Sequence, residues 1–324
     1  MLTLNRIKAL NIEISSGCIG ECPFCSRNQK VRPYGNHKIT LADFQKLPSS
    51  LIKHLKWISF AGNFGDLCTN RDMVKITKYI KDLNPSVVLG GDTNGSVQDE
   101  TWWSDLGKSF IDGSMVFSVD GLLDTHAIHR IGTDYRKIIK NIKAFTGAGG
   151  AAHWKFIVFR HNEHQIDEAE KKAREIGCNR FFVIPSRDYN TVFQRPEKID
   201  FEIKRDIFHS YDQKAASSKP IVTCKPLANG SLYLAADGTV HPCCFAHCMY
   251  ITEHNALFDF LPPIAEKYYD RINFKTTPLE DILNGPYFLE ILEKSQTNAY
   301  CRMKCNQFRK TIKKELILRD RYFD

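Results

Sequence analysis

The stretch SSGCIGECPFCSRNQ, residues 15–29, carries three cysteines spaced Cys18-x3-Cys22-x2-Cys25. Thiolates are soft ligands, and three on one loop point to a metal site. Structural zinc sites and most iron–sulfur clusters take four protein ligands, so the spacing poses the question of the fourth position. A zinc reading draws it from nearby, with His37 available. A 4Fe–4S reading leaves one iron without a protein ligand, open to a substrate or cofactor.

Around this loop, strand-like and helix-like runs alternate six times. The strands are expected at 10–16, 57–62, 86–92, 114–121, 154–161 and 180–186, short and often apolar throughout, as in strands covered on both faces. Amphipathic segments lie between them: 40–55 behind a Thr cap, 70–83 stopping before Asn84-Pro85, 101–112, 135–150 and 165–177. Such alternation gives parallel strands joined by right-handed crossovers. Six units predict an α/β fold with a partial (β/α)6 TIM-like barrel, the alternative being an open doubly wound sheet. Chemistry is then expected where strands end: the cysteine loop after the first strand, AGNFGD after the second, GDTNGS after the third, SVDG after the fourth and RHNE after the fifth.

The bulk composition narrows the class. The 324 residues are 43% hydrophobic and 25% charged, ordinary for a soluble protein, and no apolar run approaches a membrane span. The N-terminus lacks a signal-peptide pattern, so the expected location is cytoplasmic. A net charge of +8 permits a phosphate-bearing partner without demanding one. The basic tail FRKTIKKELILRDR reads as a solvated helix face. Eleven cysteines in a long chain without an export signal read as metal ligands rather than disulfides, with Cys68 and Cys178 as isolated core residues.

The pattern changes after residue 187. A connecting segment at 188–220 holds one expected helix, and a small α+β cluster domain with the basic tail is expected at 221–324. There Cys224 precedes two strand-like pieces, SLYLA and TVHPC, that flank ADG as a hairpin, with Cys243 at its far end. A distant pair, Cys301-x3-Cys305, completes four thiols. Four thiolates make a closed site for zinc or a 4Fe–4S cluster. Cys244 is a possible substitute for Cys243, and Cys248 reads as a bystander.

The Cys18-x3-Cys22-x2-Cys25 loop after a first strand resembles the radical S-adenosylmethionine (radical SAM) superfamily. The C-x13-G-x4-C tail with DGTVHPCC is similar to the SPASM and twitch extensions of that family. The resemblance implies two 4Fe–4S clusters and S-adenosylmethionine as cofactors. The first cluster would be held by Cys18, Cys22 and Cys25 and generate a 5′-deoxyadenosyl radical. The auxiliary one would be held by Cys224, Cys243, Cys301 and Cys305, the shorter twitch arrangement. It also implies Phe24 near the adenine. Gly65 and Asp66 would stand for the family's Gly-Glu pair at the methionyl group, with Gly62 and Asn63 as the fallback register. Thr93, Ser118 and Lys155 become cofactor contacts by the same resemblance. No catalytic acid or base is legible.

Side chains that can reach a substrate at the barrel centre are Asn63, Asp92, His126, His129, Arg130, Arg160, His161, Asn162, Arg187 and Tyr189. The expected reaction is oxidation of a small polar metabolite (a sugar, an aminocyclitol or a nucleotide), with a flavodoxin or ferredoxin as electron donor and no membrane partner. The alternatives are a peptide or protein maturase, a nucleobase- or nucleic-acid-modifying radical enzyme and, last, a zinc-dependent nucleic-acid-binding protein. A maturase would often carry a peptide-recognition domain before the first strand, which here begins near residue 10.

Overall fold

The computed structural model describes residues 3–29, 32–199, 224–252, 261–296, 298, 301, 305, 317 and 319–323. Six strands follow in chain order: β1 (Ala9–Ile12), β2 (Trp57–Phe60), β3 (Val88–Thr93), β4 (Ser114–Ser118), β5 (Ala152–Val158) and β6 (Arg180–Pro185). Each pairs in parallel with the next. Beyond β1, β7 (Ser231–Leu234) adds in parallel, with Tyr233 opposite Asn11, and β8 (Val240–His241) closes an antiparallel hairpin on it. Beyond β6, β9 (Arg319–Tyr322) adds in antiparallel fashion. The sheet runs β8-β7-β1-β2-β3-β4-β5-β6-β9, and its two end strands do not pair with each other among the described residues. This is the expected α/β partial barrel. The tail hairpin continues the barrel's own sheet.

Burial alternates along β5 and β6, contrary to the expectation of strands covered on both faces. Trp154, Phe156, Phe181 and Val183 are buried, while Lys155, Ile157, Phe182 and Ile184 are half-buried. Helices cover one face only, and the other lines the inside of an unclosed barrel. Cys68 and Cys178 are buried core residues, as read from the sequence.

One expected helix breaks where backbone chemistry demands. The 40–55 segment becomes Leu41–Phe44 and Ser49–His54, separated at Pro48, whose missing N–H cannot continue the first helix. Thr40 caps the first piece in a reciprocal box with Asp43. In the tail, a helical stretch not among the expected elements divides at Gly285 into Leu279–Asn284 and Pro286–Ser295, with proline at the start of the second. The helix Cys244–Thr252 has no counterpart among the expected elements. Its sequence, CFAHCMYIT, is apolar almost all round and shows no stripe to reveal it.

The helix expected within 197–211 lies outside the described residues beyond 199, as does most of the basic tail. Where the tail is described, at 319–323, it is not a helix face. Residues 319–322 form β9, because the open edge of β6 offers unpaired backbone groups and complementary charges. The Arg180 guanidinium grips the Asp320 carboxylate through two bonds of 2.7 Å. No helix among the described residues is long and apolar enough to cross a membrane.

Candidate metal centres

The cysteine loop leaves β1 at the end where the parallel strands finish. Its start is fixed by backbone contact with the loop after β2. Gly65 packs so closely that an added Cβ would lie 1.9 Å from the Ser15 carbonyl oxygen, so no other residue fits there. Asp66 N–H donates to the Gly17 carbonyl at 2.8 Å. Arg27 donates to the Cys18 and Gly20 carbonyls and closes the loop on itself.

The three cysteines are free thiols, each partly exposed. A methyl built on Gly20 would stand 3.6 Å from both the Cys18 and Cys22 sulfurs, so these two face a common space. Donors point at them. Gly20 N–H lies 3.3 Å and Asn94 Nδ2 3.6 Å from the Cys18 sulfur, and Arg130 Nη1 lies 3.8 Å from that of Cys22. Burial pushes the Cys18 thiol up to about 11, with the Asp66 charge adding to it, and raises Cys22 against the pull of Arg130. As bare groups they keep their protons, and a metal that bound them would displace those protons.

A second set of residues, which the sequence does not single out as loop supports, braces this loop from the far side. Glu21 N–H donates to the Ile131 carbonyl at 2.9 Å, and Gly132, at φ +81°, presses against the Ile19 carbonyl. Behind them Asp120 is fully buried after β4. Its Oδ2 accepts from Arg130 Nε at 2.5 Å and His129 Nδ1 at 2.8 Å, and its Oδ1 from Ile157 N–H at 2.7 Å. Burial alone would raise this carboxyl, but Arg130 and His129 hold it well below the usual carboxylate range.

The tail thiols converge differently. Cys243 lies within electrostatic reach of Cys244, Cys224 and Cys301, Cys301 within reach of Cys305 and Cys224, and Cys224 within reach of Cys305. Burial pushes Cys224 up to about 11 and Cys301 up to about 12. Cys244 and Cys248 sit one turn apart on their helix. They come within reach of Tyr233, and Cys248 also comes within reach of Glu13. Among the described residues no three His, Cys, Asp or Glu converge as around a single ion. Cluster ligands stand wider, since each binds a different iron. Both donor sets, all sulfur and free of disulfides, suit iron–sulfur clusters.

The remaining candidates separate. The Asp66 carboxylate is saturated: Oδ1 accepts from Cys68 N–H and Thr93 Oγ1 at 3.1 and 2.7 Å, Oδ2 from Asn94 N–H and Nδ2 at 2.6 and 2.7 Å. It ties the β2 loop to the Thr93-Asn94-Gly95 turn. Gly62 abuts Glu13, and Asn63 Nδ2 donates to the Cys244 carbonyl at 2.9 Å. Ser118 stands opposite Lys155 in register, and Lys155 Nζ pairs with Asp92 at 3.0 Å. The Phe24 ring meets Phe193 edge-on at 5.5 Å.

Most of the substrate-facing candidates are engaged. His126, His129, Arg130 and Asn162 surround Asp120, and Arg160 pairs with Glu197 at 2.8 Å. His161 differs. Its ring stacks on Phe159, and both ring nitrogens are buried without a hydrogen-bond partner among the described residues.

One buried group is not singled out by the sequence pattern. Glu13, at the end of β1, is pushed up to about 7 by burial, although Phe64 N–H and Tyr34 Oη donate to it at 2.7 and 3.0 Å. His247, from the tail helix, stands 3.9 Å away. An acidic residue within a strand pattern is the available signal.

Residues 224–306 match the family model of SPASM, an iron–sulfur cluster-binding domain. No curated protein matches the chain. Among solved structures it is similar to Streptococcus suis SuiB bound to S-adenosylmethionine, with 14% identity and a TM-score of 0.56 over 92% of this chain and 72% of that one. SuiB bound to the precursor peptide SuiA gives 15% and 0.55, over 92% and 70%. The anSMEcpe structure with bound AdoMet gives 16% and 0.53, over 93% and 87%. The chain has the fold of the radical SAM enzymes, with a SPASM region in its tail.

Proposed function

We propose that the protein is a radical SAM enzyme with two 4Fe–4S clusters. The observation that carries this reading is the segregation of the thiols: three lie on one loop at the strand ends, and in the tail Cys224, Cys243 and Cys301 lie within electrostatic reach of one another, with Cys305 in reach of Cys224 and Cys301. Cys18, Cys22 and Cys25 would hold a cluster with one open iron, and Cys224, Cys243, Cys301 and Cys305 a closed one. The first cluster, when bound, supplies the electron that splits S-adenosylmethionine into methionine and a 5′-deoxyadenosyl radical.

The chain's own residues arrange the site. Gly65 and Asp66 lock the cysteine loop to the β2 and β3 turns. With its carboxylate saturated, Asp66 acts as a strut, and the methionyl group is left to the backbone around Gly62–Gly65. Thr93 shares that strut. Phe24 offers a flat apolar wall for the adenine, with Ser118 at the end of β4 and Lys155 opposite it in the middle of β5. His161, neutral because burial lowers its pKa, is free to hydrogen-bond a ligand.

The substrate we infer is a small polar metabolite that is oxidised, with the tail cluster taking an electron. A closed four-thiolate site disfavours direct substrate binding there and favours electron transfer. A peptide substrate is the second reading, favoured by the likeness to SuiB, whose structure holds a precursor peptide. Anaerobically purified protein should be brown and hold about eight irons per chain. Dithionite with S-adenosylmethionine should release 5′-deoxyadenosine. A colourless, zinc-only protein would overturn the reading. Deuterium transfer from labelled sugars, aminocyclitols, nucleotides or peptides to 5′-deoxyadenosine separates the substrate classes.

A further inference from the structure

Arg130 is held in one pose. Its Nε is bonded to the fully buried Asp120, which is itself pinned by His129 and by the backbone of β5. That leaves Nη1 aimed at the Cys22 sulfur, 3.8 Å away. The side chain is 13% exposed, so solvent screens it little. Guanidinium stays charged at every working pH. The two loop sulfurs are treated unequally: among the described residues the donors to Cys18 are neutral, Gly20 N–H and Asn94 Nδ2, and the cation that reaches it, Arg27, acts without a hydrogen bond to the sulfur. The other charges nearby are Asp66 beside Cys18, Asp120 beside Cys22, and Arg27 on the loop carbonyls.

We propose that Arg130 is a positioning residue that raises the reduction potential of the cluster held by the Cys18 loop, and that Asp120 sets how much of its charge the cluster feels. The inference rests on the reading of that loop given above. Reduction adds one negative charge to a thiolate-ligated centre. A fixed cation and a charged hydrogen-bond donor at one sulfur stabilise the more negative state. Asp120 opposes this from behind while fixing the guanidinium's aim.

The two partners therefore carry opposite signs, which a merely structural role would not. In potentiometric titrations followed by electron paramagnetic resonance, without S-adenosylmethionine, Arg130→Gln should lower the reduced-to-oxidised ratio at a given potential about tenfold, ~59 mV for one electron. Arg130→Lys should recover part of that. Asp120→Asn should move the ratio the other way. Unmoved potentials, or shifts of the same sign in Arg130→Gln and Asp120→Asn proteins that retain the cluster, overturn the proposal. So does a change confined to the affinity for S-adenosylmethionine, which would make Arg130 a ligand-binding cation. If Arg130→Gln fails to fold, Arg130→Lys must still show the smaller downward shift. A wild-type protein without a cluster on the Cys18 loop defeats the underlying reading, whereas a cluster with an insensitive potential defeats this inference alone.

Discussion

The loop at 18–25 and the tail thiols use the same ligand in opposite ways. The loop presents three partly exposed sulfurs, is pressed from both sides by backbone, and has N–H donors at those of Cys18 and Cys22. On the proposed reading the tail would draw four sulfurs, Cys224, Cys243, Cys301 and Cys305, from three separated stretches of chain. A site assembled in that way from distant segments would be saturated and would hold the segments together. A site confined to one loop, supported by the Gly65 and Gly132 contacts, would keep a position free without losing its shape. The difference lies in ligand count and in what supports the ligands.

The largest expected effect comes from removing thiols. Cys18→Ala, Cys22→Ala or Cys25→Ala should cut 5′-deoxyadenosine release to background, measured chromatographically. Cys301→Ala should leave part of it. Equal losses at both sites would erase the distinction.

Next is the backbone support. Gly65→Ala puts a methyl 1.9 Å from the Ser15 oxygen, with backbone on both sides and no room to yield. It should cost about 3 kcal/mol or more in denaturant unfolding and lower the iron content of the loop site first. Normal melting with full iron would show the loop to be less confined than its contacts imply.

Between the two regions sits Glu13, faced by Tyr34, Tyr233, His247, Cys248 and Asp237. Its folded pKa of about 7 exceeds the ordinary value of 4.5, so the folded state holds the proton more tightly. The stabilising share is complete below pH 4.5 and is lost as pH rises towards and through 7. Glu13→Gln should remove that slope and gain up to about 3 kcal/mol at about pH 8, read from melting across pH. An unchanged slope would mean that Glu13 ionises freely.

The smallest effect is at Asn63, whose bond to the Cys244 carbonyl links the β2 loop to the tail helix. Asn63→Ala should cost about 1 kcal/mol in unfolding while leaving both clusters loaded. Loss of the tail cluster in this variant would show the two regions to be more tightly coupled than this one bond implies.

The sequence made the local features legible. Strand–helix alternation, the cap at Thr40 and the cysteine spacings are written in short stretches. Long-range contacts were not. Nothing near Asp120, His129 or Arg130 signals that they support a loop more than a hundred residues earlier, since their partners are set by the way the parallel sheet stacks successive loops. The pairing of β7 with β1, and of β9 with β6, was hidden for the same reason. The role expected of Asp66 was legible only as a residue type. Three of its four hydrogen bonds depend on Thr93 and Asn94 arriving from the next strand; the fourth comes from Cys68 N–H two residues away. The helix Cys244–Thr252 lacked a periodic stripe and could not be read in advance.

The most direct test of the account is the spectroscopic response of each cluster to S-adenosylmethionine. Two variants isolate them: Cys301→Ala/Cys305→Ala keeps the loop cluster, and Cys18→Ala/Cys22→Ala/Cys25→Ala keeps the tail cluster. With methionyl-15N-labelled S-adenosylmethionine, the reduced loop cluster should show nitrogen hyperfine coupling in electron–nuclear double resonance, and the tail cluster none. Coupling at the tail cluster, or none at the loop cluster, would contradict the claim that the three-thiol loop holds the open position.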